Sequence, residues 1–484
     1  MDKKRVVLCM SPWRPNDFFT GKFAEDVGGA WHPLGILSIA GMLEREGHRV
    51  MVLDGAFISF EDMVRMIYNY RPHLLGVYSN AFSLPRVSAL AKAVKEVLPE
   101  VKVVVGGPIT VGFNEMVLKQ SECIDVVVVG EGEETIVELV EGLDERGSWG
   151  EIKGISFRDD GQIVSTALRK PIADLDNLPY PARHLVPLHM YRPPTGTYKR
   201  LPAVYIFSSR GCNGECIFCW QMSKRHEIRY RSAENVLGEI DQIVRDFPFI
   251  REIRFFDDNF AYNNERAFQI CEGIIRRGYD LTFYASMRVD NVSKELFRVM
   301  RRAGFWGVML GLESMVQKDL DAIRKGVKVD QNREAVYMAK EAGIETVTPI
   351  IFGLPGQTYE DGLKTIEEVC KLPTDYVNFH ALTPFPGTEL FNNVEKYGKL
   401  TTDRFEDFTF EGVAFTPYTM TREEILKLRR EGFKRFYSRP AYLMKRAVNM
   451  KTWVDARVAV YGLRGLFRTI FMPNAFDPSS YNVS

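Results

Sequence analysis

The sequence predicts an α/β protein with three parts: a doubly wound N-terminal domain, a partial (β/α)6 barrel, and a mostly helical C-terminal region. Three observations predict it. Through residues 1–145, short solid runs of Val, Ile and Leu alternate with amphipathic stretches, the pattern of parallel strands covered by helices on both faces. The alternation restarts near residue 201 and runs through six further strand–helix units with short connections, which favour a parallel sheet. After residue 404 the repeat stops, and residues 421–484 carry 13 basic and 5 acidic side chains in a chain whose 63 basic and 63 acidic residues otherwise balance.

In the first domain, Arg5–Met10 reads as a buried strand, and 33–46 as a helix through Leu34, Leu37, Ile39, Ala40 and Leu43 that closes on Gly47. Strands follow at 50–54, Leu74–Tyr78, 101–105 and 124–129, with helices at 61–70, 84–98 and from 134 through 143. Five such units make a doubly wound sheet, whose ligand belongs at the carboxyl ends of its strands. Residues 146–200 change character. Segments 155–157 and Gln162–Ser165 flank Asp159-Asp160-Gly161 as a hairpin, and a proline-rich ordered linker follows. The second domain, 201–404, has expected strands at 203–208, 252–256, 282–286, 307–311, 345–351 and 376–382. Helices fall between them at about 233–246, 265–276, 294–302, 316–322, 332–341 and 359–370. In 405–484, an amphipathic helix spans 421–437 with Ile425, Leu428, Phe433 and Phe436 on its apolar side. The segment 441–471 interleaves Lys and Arg with Tyr, Trp, Leu and Phe.

Composition narrows the function. A 484-residue chain that is 45% hydrophobic and 12% aromatic builds sizeable cores, and its zero net charge gives no global bias toward nucleic acid. No apolar run reaches the roughly 18 residues of a membrane span. Residues 1–8 lead straight into a strand without a secretory apolar region, so a cytoplasmic protein is expected. Cys9, Cys123, Cys271 and Cys370 are scattered among apolar neighbours; they read as inert buried thiols in a reducing compartment and leave no ligands for a second cluster.

The remaining cysteines form Arg210-Gly211-Cys212-Asn213-Gly214-Glu215-Cys216-Ile217-Phe218-Cys219-Trp220, spaced C-x3-C-x2-C after an apolar strand. Three thiolates on one loop hold three corners of a [4Fe–4S] cube and leave the fourth iron open. A structural zinc site wants four ligands, and the chain has no second pair. The expected strand ends carry Asp257-Asp258-Asn259, Ser286-Met287-Arg288, Glu313-Ser314, Gly353-Leu354-Pro355-Gly356 and Pro384-Phe385-Pro386-Gly387. Singly each has a bland alternative, a helix cap for Asp-Asp-Asn and a plain turn for Gly-Leu-Pro-Gly. Five at successive strand ends behind a three-cysteine loop suit a zwitterionic adenosyl ligand, which needs acceptors for its ammonium, donors for its carboxylate, and glycines where backbone approaches closely.

Over roughly residues 200–400 these motifs resemble the radical SAM superfamily. The resemblance implies that Cys212, Cys216 and Cys219 ligate the cluster metal, and that Trp220 lies near the adenine of S-adenosylmethionine (SAM). Asp257 and Asp258 stand where many members carry Gly-Glu against the methionyl amino group. Ser286 and Arg288 match ribose and carboxylate positions, Glu313 with Ser314 a further cofactor-facing motif, and Gly353 and Gly356 the fifth-strand glycines near adenine. The first domain resembles the cobalamin-binding domain of class B radical SAM enzymes through Trp31-His32-Pro33-Leu34-Gly35-Ile36-Leu37, 50–54, Gly106-Gly107-Pro108 and Val129-Gly130-Glu131-Gly132-Glu133. It lacks the D-x-H-x-x-G pattern of other B12 proteins, and Ile109 stands where relatives often have His. His32 sits before a helix near the expected cleft, as a cofactor or substrate contact or as a helix-start histidine bonded to backbone.

The arrangement is similar to the anaerobic protoporphyrin-ester cyclase and hopanoid methylase family. It implies a 5′-deoxyadenosyl radical enzyme, cobalamin-dependent C-methylation of an unactivated carbon in a lipid, isoprenoid or tetrapyrrole, and a low-potential donor such as flavodoxin or ferredoxin. The alternatives are a radical cyclase, rearrangement or coupling enzyme without methyl transfer, and a cobalamin or redox sensor. A methylthiotransferase is discounted, because only Cys9 and Cys123 precede residue 200. The basic tail reads as a solvated helical face, as a patch for peripheral association with the inner membrane surface, or least as an RNA contact.

Overall fold

The computed structural model describes residues 3–12, 29–144, 149–194, 197–220, 228–409, 412–449 and 460. In the first domain β1 (Arg5–Met10), α1 (Leu34–Arg45), β2 (Arg49–Asp54), α2 (Phe60–Tyr70), β3 (Leu74–Tyr78), α3 (Leu84–Val97), β4 (Lys102–Gly106), α4 (Asn114–Gln120), β5 (Val126–Val128) and α5 (Glu133–Glu141) alternate as the sequence predicts, except that α4, a seven-residue helix between β4 and β5, is not expected. The sheet order is 2-1-3-4-5, all parallel. Chain order reverses between β1 and β3, so the crevice of such a sheet opens there.

The hairpin β6 (Ile155–Asp159) and β7 (Gln162–Ser165) continues this sheet, β6 pairing antiparallel with β5. The first sheet therefore runs on past the expected boundary at residue 145. The hairpin covers the open edge of β5, which would otherwise leave a row of unpaired backbone groups.

The second domain begins with β8 (Ala203–Ile206) and the short antiparallel pair β9 (Ser209–Arg210) and β10 (Arg229–Tyr230). Then come α6 (Ala233–Asp246), β11 (Glu252–Phe255), α7 (Asn264–Arg277), β12 (Thr282–Arg288), α8 (Lys294–Arg302), β13 (Phe305–Gly311), α9 (Gln317–Ala322), α10 (Val329–Glu341), β14 (Glu345–Phe352), α11 (Tyr359–Lys371) and β15 (Tyr376–Ala381). Its six strands run parallel in the order 8-11-12-13-14-15. Ser232, Asn263, Ser293 and Thr358 cap α6, α7, α8 and α11, each side-chain oxygen accepting a first-turn amide, which satisfies donors the helix cannot. In the core of this domain, Phe255, Phe260, Phe283 and Phe305 pack ring against ring.

After α12 (Glu389–Asn392) and α13 (Val394–Tyr397), the small hairpin β16 (Gly398–Leu400) and β17 (Phe415–Pro417) reaches back to the first domain. Phe391 and Phe405 meet Phe113, beside α4, edge-on at 5.5 and 6.3 Å, and Phe408 is buried in the same cluster. Helix α14 (Arg422–Tyr437) buries Ile425, Leu428 and Phe436, while Phe433 meets Phe379 of β15 edge-on. In α15 (Pro440–Asn449), Lys445 pairs with Asp375 at 2.6 Å and the Arg446 guanidinium lies 4.0 Å over the Tyr376 ring. Two basic residues expected to face solvent or membrane thus hold the helix against the barrel. The basic residues from 451 onward lie outside the described residues.

The linker welds the two domains. Glu239 of α6 is fully buried and takes Arg183 of the linker at 2.5 Å together with Arg231. Arg183 also donates to the Tyr205 carbonyl at 2.8 Å, and Tyr191 donates to Asp54 of β2 at 2.7 Å. Removing one partner of a buried ion pair leaves the other charge uncompensated. Arg183→Met is therefore expected to lower unfolding stability by about 3 kcal/mol, read by denaturant titration with tryptophan fluorescence and far-UV dichroism followed together.

Candidate active site

The carboxyl ends of both sheets face one cavity of about 1120 Å³, above the roughly 300–1,000 Å³ of an ordinary small-ligand pocket. Each domain supplies one wall. The first-domain wall is largely apolar and glycine-rich, with Leu8, Ile36, Ile39, Gly76, Val104, Gly106, Gly107, Pro108, Val128, Gly130 and Gly132, and it also carries Asn114, Glu131, Glu133 and Arg169. Gly107 has φ +109°, and a Cβ there would lie 2.5 Å from the Ser79 carbonyl, so only glycine fits. A floor of valines edged by side-chain-free backbone accepts a broad flat macrocycle, and the corrin of cobalamin fits it.

The second-domain wall is polar and carries the cysteines. Cys212, Cys216 and Cys219 all line the cavity, with Trp220 beside them. Cys219 is exposed, while Cys216 is buried. Cys212 Sγ lies 3.0 Å from the Tyr262 hydroxyl and accepts from Gly214 N–H at 3.3 Å. A hydrogen bond from Cys219, reinforced by the nearby charges of Lys325 and Arg288, holds the Cys216 thiol below the ordinary range although burial opposes it. A thiolate is the form that binds iron. Among the described residues no three His, Cys, Asp or Glu side chains converge on a point that would hold a single metal ion. Three thiols facing one open space suit a polynuclear cluster instead.

Strand ends complete the wall. Asp258, Ser286, Arg288 and Glu313 reach the cavity from the ends of β11, β12 and β13. Burial first, and then the neighbouring Asp257 carboxylate, raise the Asp258 pKa. Arg288 is fixed by Asp290 at 2.8 and 2.9 Å and by the Lys325 carbonyl at 2.9 Å. A Cβ built on Gly214 would lie 2.9 Å from Arg288 Nη1 and 3.3 Å from Cys212 Sγ, so the glycine lets the guanidinium approach the cysteine loop. Glu313 has φ +63°, a strained conformation for a residue with a side chain. Its backbone is bonded on both sides to β14 through Pro349 O and Ile351 N, and its carboxylate accepts from the buried Lys325 at 2.7 Å.

Several expected site residues have other work. Asp257 is buried beneath the wall, where it accepts from Ser208 N–H at 2.7 Å, Ser209 Oγ at 2.7 Å and Ser208 Oγ; its carboxylate is already occupied within the protein. Ser314 is wholly buried and donates to Asp319 at 2.8 Å, and Gln357 donates to the same carboxylate at 2.8 Å. Gly353 and Gly356, at φ +83° and +71°, shape the turn into α11. Gly353 is tight against Ile425 of α14, and neither glycine lines the cavity. His32 is buried at the domain seam, its Nε2 accepting from Tyr205 N–H at 2.7 Å. Burial, then the charge of Arg183, hold its pKa well below the usual imidazole range, so it stays neutral as an acceptor. Glu131 borders the cavity, but its carboxylate is spent on Arg229 at 2.7 and 2.9 Å and on Arg210 at 3.2 Å.

Sequence reasoning missed Lys325, Tyr262, Phe207 and Phe256. Phe256 is 53% exposed yet sits on the cavity wall, with Phe207 6.0 Å away. It alternates with Arg254 and Asp258 along one face of β11 and its extension, and that period-two position was the available signal. No local pattern marks Lys325.

Comparison with known proteins agrees with this geometry. The B12 binding domain model matches residues 22–140, and the Radical SAM superfamily model matches residues 206–369. An uncharacterized methyltransferase of Pyrococcus horikoshii is 32% identical over 450 residues, covering 92% of this chain and 95% of that protein. The anaerobic magnesium-protoporphyrin IX monomethyl ester cyclase of Rubrivivax gelatinosus is 28% identical, over 86% of this chain and 76% of its own. In fold, the chain is similar to the radical SAM methyltransferase TsrM of Kitasatospora setae, solved with cobalamin and a [4Fe-4S] cluster bound. The TM-score is 0.65 at 18% identity, over 98% of this chain and 90% of that one. The protein belongs to the family of radical SAM enzymes with an N-terminal B12-binding domain. Its cofactors are a [4Fe–4S] cluster, SAM and cobalamin.

Two adjacent carboxylates are expected to respond oppositely. Asp257→Asn turns an amide onto hydroxyl and N–H donors and should cost about 2 kcal/mol of stability, seen as a lower melting temperature. Asp258→Asn should melt like the parent but bind SAM about tenfold more weakly, a loss of about 1.4 kcal/mol, measured by equilibrium dialysis on the cluster-loaded protein.

Proposed function

We propose that this enzyme methylates an unactivated carbon of an apolar substrate, using cobalamin. The observation that carries the reading is the single cavity shared by the three-cysteine loop and the glycine-rich ends of β3, β4 and β5. When bound, the cofactors supply a hydrogen-abstracting 5′-deoxyadenosyl radical and a transferable methyl group. The chain's task is position and exclusion of water. Cys212, Cys216 and Cys219 hold the cluster. Asp258, Ser286, Arg288 and Glu313 orient SAM, with Trp220 against its adenine. Gly106, Gly107, Pro108, Gly130 and Gly132 cradle the corrin. Phe207 and Phe256 face the space between the walls and desolvate what enters it.

The mostly apolar lining favours a lipid, isoprenoid or tetrapyrrole substrate, and the cyclase relative acts on a tetrapyrrole by its name. No helix among the described residues is long and apolar enough to cross a membrane. Leu443, Met444 and Val448 are exposed on α15, which supports a cytoplasmic enzyme resting on the inner membrane surface by this helix. The reductant belongs to the flavodoxin or ferredoxin class.

After anaerobic reconstitution with iron, sulfide and hydroxocobalamin, we expect about one cobalamin per chain. Turnover with a lipid extract should release S-adenosylhomocysteine and 5′-deoxyadenosine in about equal amounts, and Cys216→Ala should abolish the 5′-deoxyadenosine. An intact iron–sulfur band without cobalamin, or 5′-deoxyadenosine without S-adenosylhomocysteine, would replace methyl transfer by a radical cyclisation or coupling. A soluble substrate and no binding to anionic vesicles would overturn the lipid reading.

A further inference from the structure

The two loops that meet at the cavity are joined by a compact knot of charge. Strands β9 and β10 pair Arg210 directly with Arg229, and this pair closes the base of the segment that carries all three cysteines. Both arginines point to the other domain. Arg229 grips Glu131 with two hydrogen bonds of 2.7 and 2.9 Å, and also donates to the Ile172 carbonyl of the linker at 2.6 Å. The Ile172 amide returns a bond to Glu131 at 2.8 Å. Arg210 spans both acids, 3.2 Å from Glu131 and 2.5 Å from Glu133. The four side chains are all largely buried, between 6% and 21% exposed. Glu131 and Glu133 stand on the glycine loop, Gly130 to Gly132 and the residue after it, that walls the corrin side of the cavity, and Gly130 has φ +105°. Burial opposes ionisation of Glu131, yet the two arginines and the Ile172 amide hold its carboxyl below the usual range, so this carboxylate is ionised at neutral pH. A forked guanidinium–carboxylate pair fixes direction as well as distance.

We propose that Glu131 and Glu133 are positioning residues for the iron–sulfur cluster: acting through Arg229 and Arg210, they couple occupation of the cobalamin wall to the geometry of the cysteine loop. A ligand seated on Gly130 and Gly132 stills the loop bearing both acids. The acids hold the arginine pair, and the pair sets the two ends of the cysteine segment. Coupling of this kind is reciprocal. Cobalamin should retain the cluster, and the cluster should tighten cobalamin, by the same factor.

The inference rests on both cofactors binding as proposed above, and the test keeps the two apart. Retention of the cluster is measured anaerobically at equilibrium against graded chelator concentrations, through the iron–sulfur absorbance band, in cluster-loaded protein with and without hydroxocobalamin, and cobalamin affinity is measured with and without the cluster. In the parent protein each cofactor should strengthen the other about fivefold or more. In Glu131→Gln/Glu133→Gln, and separately in Arg229→Lys, which keeps the charge but loses the fork, the factor should fall below about twofold, with the reduced cluster's electron paramagnetic resonance signal broadened or shifted. Melting curves on the same samples show whether each variant is folded, and Arg229→Lys decides the outcome if the double variant is not. A folded Arg229→Lys with full mutual protection overturns the proposal, as does a parent protein that binds both cofactors independently. Failure of the parent to bind cobalamin at all sinks the proposed function first.

Discussion

Two sheets must meet end to end at the carboxyl edges of their parallel strands, and the rest of the structure serves that constraint. A parallel strand delivers its reactive loop at one end only. Chemistry that needs two cofactors, one held by each sheet, therefore works only if the two ends face each other across a gap of molecular size. Nothing in either sheet enforces this. The elements that do so lie between the domains: the linker with Arg183 and Tyr191, the returning hairpin with Phe405 and Phe408, and the arginine–glutamate knot at the cysteine loop.

Those elements differ in kind, and the difference has consequences. The hairpin's contact is apolar and non-directional, an aromatic cluster around Phe113. It contributes attraction but little angular precision. The ionic contacts are directional, and the forked pair of Arg229 with Glu131 lines the cavity itself. A buried charge is a poor source of stability, because desolvation cancels much of its attraction, but it penalises any arrangement that separates the partners. Apolar packing around Phe113 and the paired charges beside the cysteine loop together hold the two domains against one cavity.

Within the second wall, polarity is layered by depth. Asp257 and Ser314 lie one layer below the surface, each with its hydrogen bonds turned to neighbours in the protein. Asp258, Ser286, Arg288 and Glu313 lie on the surface. Lys325 braces two members of that surface, Arg288 through its carbonyl and Glu313 through its ammonium, so that two oppositely charged groups stand near the cysteines without collapsing onto each other.

The chain's own order of residues determined the repeat of strands and helices, the cysteine triad and the glycine turns. These depend on spacing within a few residues: valine runs, capping serines and threonines, and C-x3-C-x2-C act locally. Of the adjacent pair Asp257 and Asp258, the sequence could say only that both stand at a strand end. Which one faces the cavity follows from side-chain alternation and from Ser208 and Ser209, 49 and 48 residues earlier. The same holds for Glu131, whose glycine-flanked position suggests a cofactor contact until Arg210 and Arg229, the latter 98 residues away, claim it, and for Lys325, which no motif marks. Tertiary structure alone decided these roles, because a buried polar group must find a partner, and the partners here are brought together only when two separately legible domains close on one cavity.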